Sequence, residues 1–190
     1  MEILTVCTGN ICRSPLAATI LATRLDEFDV HVHSAGIRGL DAATMTPEAI
    51  DLALEYGVSA MDADAHRSRF LVESLLRSPD LILTMTRDHR REVAELAPAR
   101  LRSTFTLREF ARLAESLSDE QLAAAAIGDD SSARLRAAAA AVAGMRGLVP
   151  AGDDDVIDPY RREWKVYRES ADQLVPALTQ VERVVRFAAR

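Results

Sequence analysis

The chain has 190 residues, 48% apolar and 27% charged, with 23 Lys and Arg against 29 Asp and Glu for a formal charge of −6. This length and mix suit a single globular domain, with or without an insertion, and exclude wholesale disorder. The acidic balance gives no general pull toward nucleic acid or anionic lipid, and no apolar run approaches the ~20 residues of a membrane helix.

Met1 to Val6 lacks a basic n-region and turns polar after Val6, so no signal peptide is expected and the cytoplasm is the default compartment. Ile3 to Val6 is a short apolar run without alternation, as expected of a strand buried on both faces of a parallel sheet. A loop with Gly9 and Asn10 follows. Ser14-Pro15 then predicts a helix start, Ser at the N-cap and Pro at N1, with Leu16, Ile20 and Leu21 as its buried stripe. Val30 to Ser34 predicts a second strand, closed by Gly36. Thr46-Pro47-Glu48 opens another helix, running to Tyr56-Gly57, where the glycine can take the left-handed C′ conformation.

Phe70, Leu71, Ser74 and Leu75 suggest a helix stopped before Pro79. Leu81 to Met85 is the third strand, Arg87 to Leu96 a helix whose first turn, at Asp88-His89, is expected to be exposed, Ser103 to Thr106 the fourth strand, and Leu107 to Leu117 a helix. Strands alternating with helices indicate βαβ units, a parallel sheet and an α/β fold. Residues 118–152 are alanine-rich, and Ser118-x-x-Gln121 is a capping-box signature. We read two helices there, an insertion packed onto the domain as an accessory because small side chains bury little area. Trp164, Tyr167, Ala171, Leu174, Leu178, Val181 and Val185 then mark an amphipathic helix that Pro176 should kink or split.

The loop Val6-Cys7-Thr8-Gly9-Asn10-Ile11-Cys12-Arg13-Ser14-Pro15 joins the first strand to the first helix. Open α/β sheets bind ligands beyond the carboxyl ends of their strands. A tight loop running into a helix N-terminus there aims several backbone amides at one point and makes an anion cradle. Gly9 tolerates unusual torsions, and Asn10 is among the few residues that enter the left-handed region at modest cost. Cys7 at the floor of such a cradle is favoured as thiolate, and Arg13 can grip two oxygens of a tetrahedral anion with its planar fork. Together these describe attack of sulfur on phosphorus. For a bare C-x5-R the alternative is a buried free cysteine with its arginine paired elsewhere; the flanking strand, Gly-Asn and Ser-Pro favour catalysis.

C-T-G-N-I-C-R-S-P resembles the signature of the low-molecular-weight protein tyrosine phosphatases. The likeness extends to His33-Ser34-Ala35-Gly36, Asp80 to Met85 and Asp158-Pro159-Tyr160, leaving out the alanine-rich stretch. It implies a single domain over 1–190 with a four-stranded parallel sheet flanked by helices, the phosphotyrosine protein phosphatase I-like fold, with 118–152 inserted and no metal or organic cofactor.

The resemblance also implies roles. Cys7 would take the phosphoryl group, Arg13 would stabilise it, and Asp158 would serve as general acid and then base. Thr8, Gly9, Asn10, Ile11, Cys12 and Ser14 would form the phosphate-binding loop, Ser14 also donating to the Cys7 sulfur. Ser34 and His66 would brace that loop, and Leu40 and Tyr160 would line the pocket entrance. Arg38 and Arg161 are read as solvated charges, and His31-x-His33 finds no third ligand for a metal. Cys12 would capture an oxidised Cys7 as a disulfide. The implied partner is a tyrosine-phosphorylated protein, a tyrosine kinase among the candidates, with no nucleic acid or membrane; the oligomeric state is left open, a monomer being favoured. Two other readings stay open: a thiol-dependent arsenate reductase of the same fold, for which no cysteine follows Cys12, and a non-catalytic phosphotyrosine-binding or redox-sensing module, which would have no need of an acid.

Overall fold

Strand β1 (Glu2–Cys7) pairs in parallel with β2 (His31–Gly36) on one side and β3 (Leu81–Thr84) on the other, and β3 pairs in parallel with β4 (Thr104–Thr106). The sheet order is therefore β2-β1-β3-β4. The chain leaves β1 for one neighbour and later returns to the other, so the end of β1 lies at the point where the strand order reverses, the usual ligand position in an open α/β sheet. The computed structural model describes residues 1–38 and 42–190, and the expectation for Leu40 falls outside them.

The helices are α1 (Arg13–Arg24), α2 (Pro47–Glu55), α3 (Ala60–Ala65), α4 (Arg87–Leu96), α5 (Leu107–Glu115), α6 (Asp119–Ala125), α7 (Ser131–Gly144) and α8 (Trp164–Ala188). Strand alternation splits the core into two faces. Ile3, Leu81, Leu83 and Phe105 pack with α1, α2, α5, α7 and α8, whereas Leu4, Val6 and Ile82 pack with Leu71, Leu76 and Val93. Among the described residues, no helix is long and apolar enough to cross a membrane.

Local start signals read from the sequence recur as bonds. Thr46 accepts from the Ala49 amide, Gly57 takes φ 89° after α2, and Ser118 with Gln121 forms the full capping box of α6. Five expectations are corrected. Helix α1 begins at Arg13 and Ser14 caps nothing; its hydroxyl is turned to the Cys7 sulfur instead. The helix expected around Phe70 is a 3-10 turn at Glu73–Leu76, and Phe70, half-exposed, bridges to Gly36, because that segment extends the sheet edge before it coils. Helix α3, capped by Ser59, was not anticipated: its six residues bury only Ala63, too little for a periodic signal.

Pro176 neither splits nor stops α8, which runs 25 residues with Ala177 and Leu178 buried, while Trp164 sits half-exposed outside the stripe. Packing of α8 against α1, α5 and α7 outweighs the one backbone bond the proline removes. Finally, the alanine-rich segment is no accessory. Leu122, Leu135, Ala138, Ala139 and Val142 are buried in the main core, and Arg136 donates to Asp80 at 2.5 Å, tying α7 to the start of β3. Alanine buries little area, yet it lets α7 approach α8 and α5 closely enough for Leu135 and Val142 to be sealed.

Candidate active site

The loop between β1 and α1 bends around the Cys7 sulfur. Asn10 takes φ 54°, which turns its own amide toward Cys7 Sγ at 3.3 Å, and the Ser14 hydroxyl lies 3.0 Å from the same sulfur. The fully buried Asn10 side chain fixes that turn: its Nδ2 donates to Ser14 Oγ at 3.0 Å and Ser34 Oγ at 2.8 Å, and its Oδ1 accepts from the Arg69 amide at 3.0 Å. His66 Nε2 donates to the Asn10 carbonyl at 2.8 Å, and burial pushes its pKa below the ordinary value. Asn10, Ser14, Ser34 and His66 are thus brought together around the loop.

Gly9 contributes less conformational freedom than expected, since its φ is not left-handed and a Cβ there would meet only the Ile11 side chain, at 3.5 Å. The glycine this loop needs is Gly36, at the end of β2: a Cβ would stand 2.7 Å from the Thr8 carbonyl and 2.9 Å from the Asn10 amide. Its signal in the sequence, a glycine closing a strand, reads as a turn and not as a close approach.

Arg13 is 4% exposed and spans the loop to the late strap of the chain. It donates to the Val156 carbonyl at 3.1 Å, to Thr8 Oγ1 at 3.3 Å and to Asp158 Oδ2 at 2.6 Å, and its Nε is buried without a partner among the described residues. Asp158 is half-exposed and accepts from the Tyr160 amide at 3.1 Å. Cys7, Thr8, Gly9, Ile11, Cys12, Arg13, Arg38, Asp158 and Tyr160 enclose a cavity of about 220 Å³. A buried cation with an unused N–H, sharing a cavity with a thiol and a half-exposed carboxylate, has the groups to hold a tetrahedral oxyanion and exchange a proton next to it.

The family model for low molecular weight phosphotyrosine protein phosphatase matches residues 2–121. The chain belongs to that family. Among relatives of this phosphatase family, the Escherichia coli K12 protein-tyrosine-phosphatase Etp is 43% identical over 97 residues, 51% of this chain and 62% of Etp, so the match spans less than two thirds of that protein. A Bacillus subtilis protein-arginine-phosphatase is 27% identical over 188 residues, 98% of this chain and 97% of its own. A YwlE arginine phosphatase variant carrying a phosphorylated active-site serine superposes with a TM-score of 0.70 at 26% identity, covering 98% of this chain and 96% of that one.

The family match ends before the strap that brings Asp158 to Arg13, so the anchoring of that strap has to be read from its contacts. Three arginines of α4 and α5 clamp its acidic run. Arg87 donates to Asp155 through its backbone at 2.8 Å and its side chain, Arg108 to the Asp155 carbonyl at 2.7 Å, and Arg112 to both Asp154 oxygens at 3.0 and 2.7 Å. Val156 N and Ile157 N then donate to Met85 O and Gln173 Oε1. The sequence shows Asp153-Asp154-Asp155 as a charge run and offers no sign of its partners.

His89 is the other residue missed. Expected at an exposed helix start, it is 4% exposed, with Nε2 2.9 Å from Thr8 Oγ1 and Nδ1 3.0 Å from Thr86 Oγ1. Burial, then the Arg13 charge, push its pKa down to about 4, so its ring is neutral near pH 7. Cys12 is buried against Thr46 and Tyr167, and burial pushes its thiol up to about 11. His31 and His33 stack at 5.0 Å, and no group of three metal-ligating side chains occurs among the described residues.

Proposed function

We propose that this phosphatase-family chain hydrolyses phosphotyrosine in proteins through a cysteinyl-phosphate intermediate. The observation that supports it most is Cys7 Sγ, held by the Asn10 amide and facing Ser14 Oγ, in a cavity whose wall is the Arg13–Asp158 pair at 2.6 Å. In the first step the sulfur attacks phosphorus, the S–P bond forms and the P–O bond to the phenol breaks. Arg13 meets the equatorial charge, and Asp158 gives its proton to the departing oxygen. In the second, Asp158 takes a proton from water, the new P–O bond forms, and the sulfur leaves with its charge eased by the Ser14 hydroxyl. A simple phosphotyrosine binder would have no use for a carboxylate beside its anion-gripping arginine.

Ile11 and Tyr160 give the cavity apolar walls that suit an aromatic ring. The full-length likeness to a protein-arginine-phosphatase favours a second reading, phosphoarginine as substrate. A guanidinium needs a carboxylate partner, and Asp158, the one acid among the described lining residues, would have to serve as that partner as well as the general acid. The partner is a tyrosine-phosphorylated protein, a tyrosine kinase being one such class, met by a monomer in the cytoplasm. Phosphotyrosine and phosphoarginine peptides of one sequence decide: we expect kcat/KM to favour phosphotyrosine at least tenfold, activity to vanish in Cys7→Ser and to fall by orders of magnitude in Arg13→Ala. Asp158→Ala should lose least with good leaving groups. Preference for phosphoarginine would install the second reading, and turnover by Cys7→Ser would end the mechanism.

A further inference from the structure

We propose that the Thr8 hydroxyl is a further donor to the bound phosphoryl group, and that His89 is the positioning residue that turns that hydroxyl toward it. The proposal deepens the phosphatase reading and rests on it. Thr8 Oγ1 lies beside the Arg13 fork, accepting from the same guanidinium nitrogen, 3.3 Å away, that binds Asp158. Thr8 lines both the Cys7 cavity and an adjoining groove of about 360 Å³ that His89 lines from the α4 side.

The proton count allows two arrangements of these bonds. A neutral imidazole has one N–H and one bare nitrogen, and a hydroxyl has one hydrogen to give. In one of them Thr86 Oγ1, which accepts from the His89 amide at 3.3 Å, gives its own hydrogen to His89 Nδ1. Nε2 then carries the ring proton and donates to Thr8 Oγ1. With two donors on its oxygen, from His89 and Arg13, Thr8 has its hydrogen left for the cavity. In the opposite tautomer Thr8 spends that hydrogen on Nε2 and offers an incoming oxyanion only a lone pair. An anion seated on Arg13 therefore selects the first tautomer, because only that one adds a hydrogen bond to the charge. The depressed basicity of His89 agrees, since a doubly protonated ring would bring a second cation against Arg13.

Thr8→Val removes the hydroxyl and keeps its outline. We expect kcat/KM for p-nitrophenyl phosphate to fall ten- to hundredfold, the worth of about one hydrogen bond to a charged group. Affinity for orthovanadate, read by calorimetry, should fall in step, and Thr8→Ser should restore both. His89→Leu should cost about three- to tenfold in the parent chain and nothing more in Thr8→Val, since a residue acting through Thr8 has no path left once the hydroxyl is gone. His89→Gln, which keeps an N–H donor, should recover part of the loss. Unchanged turnover and vanadate affinity in Thr8→Val, or additive losses in the double variant, overturn the proposal. A parent chain that binds vanadate but hydrolyses no aryl phosphate sinks the phosphatase reading alone, and the vanadate arm still decides on Thr8. A parent chain that binds no vanadate overturns both.

Discussion

Replacing Gly36 with alanine tests whether the loop's shape, as distinct from its residue list, makes the site. The added Cβ would stand 2.7 Å from the Thr8 carbonyl, 2.9 Å from the Asn10 amide and 3.0 Å from the Gly9 carbonyl carbon, all backbone atoms of the loop. Ordinary contact starts at 3.4 Å, so the loop has to retreat by about 0.7 Å at its tightest point. No flexible side chain can absorb that. Retreat by β2 is opposed by its paired register with β1, in which Gly36 sits opposite Cys7. Overpacking of this kind costs about 1–3 kcal/mol, and misplacing reacting groups by about 1 Å costs about a hundredfold in rate.

We therefore expect Gly36→Ala to lose about 1–3 kcal/mol in urea unfolding and thirty- to a hundredfold in kcat/KM for p-nitrophenyl phosphate, with weaker inhibition by phosphate. Gly144→Ala is the contrast: nothing lies within 4 Å of a Cβ at that helical position, so stability should rise by about 0.5–1 kcal/mol with activity unchanged. Turnover of Gly36→Ala within threefold of the parent, with normal phosphate inhibition, would refute the claim that close approach of β2 shapes the cradle.

Three further outcomes are expected. The folded pKa of His89, about 4, lies below its unfolded value of 6.5, so the unfolded chain takes up the proton first as pH falls. Stability present at pH 7 should decline through the window from 6.5 to 4 by about 3 kcal/mol, burial and Arg13 outweighing the opposing Asp158, Asp88 and Asp155 charges. Half-buried His66 and His33 act with the same sign, so urea unfolding at pH 7 and 4.5 should show a smaller, not absent, loss in His89→Gln; equal slopes would refute this. Peroxide should inactivate reversibly through one Cys7–Cys12 disulfide, seen as a mass loss of about 2 Da restored by thiol. Irreversible loss without that bond would count against it. Arg112→Ala leaves the Asp154 carboxylate without its bidentate partner and should cost about 2 kcal/mol. Its kcat should drop more for poor phenolic leaving groups than for p-nitrophenol, and an even drop would mean that the strap does not position Asp158.

Much of the site was legible because it is written in one short segment. Cys7 to Ser14 joins a buried strand to a helix, and the bonds that shape it, from Asn10 and Ser14 back to the sulfur, span three to seven residues. Helix starts at Thr46 and Ser118 were legible for the same reason, since a hydroxyl caps an amide three residues on. The resemblance to a family supplied Asp158, which no spacing could locate, 145 residues from Arg13.

What sequence determined by itself was therefore the alternation of elements and the chemistry of one loop, properties set by neighbours along the backbone. Tertiary packing decided the rest. It put β1 between β2 and β3, pressed Gly36 against the loop, buried His89 where helical periodicity showed only a polar first turn, and drew the alanine-rich helices into the core. It also let three arginines turn an acidic run into the anchor of the Asp158 strap. Each of these pairs atoms far apart in the chain, and their energies depend on distances that exist only once the sheet has formed and the helices have closed over it.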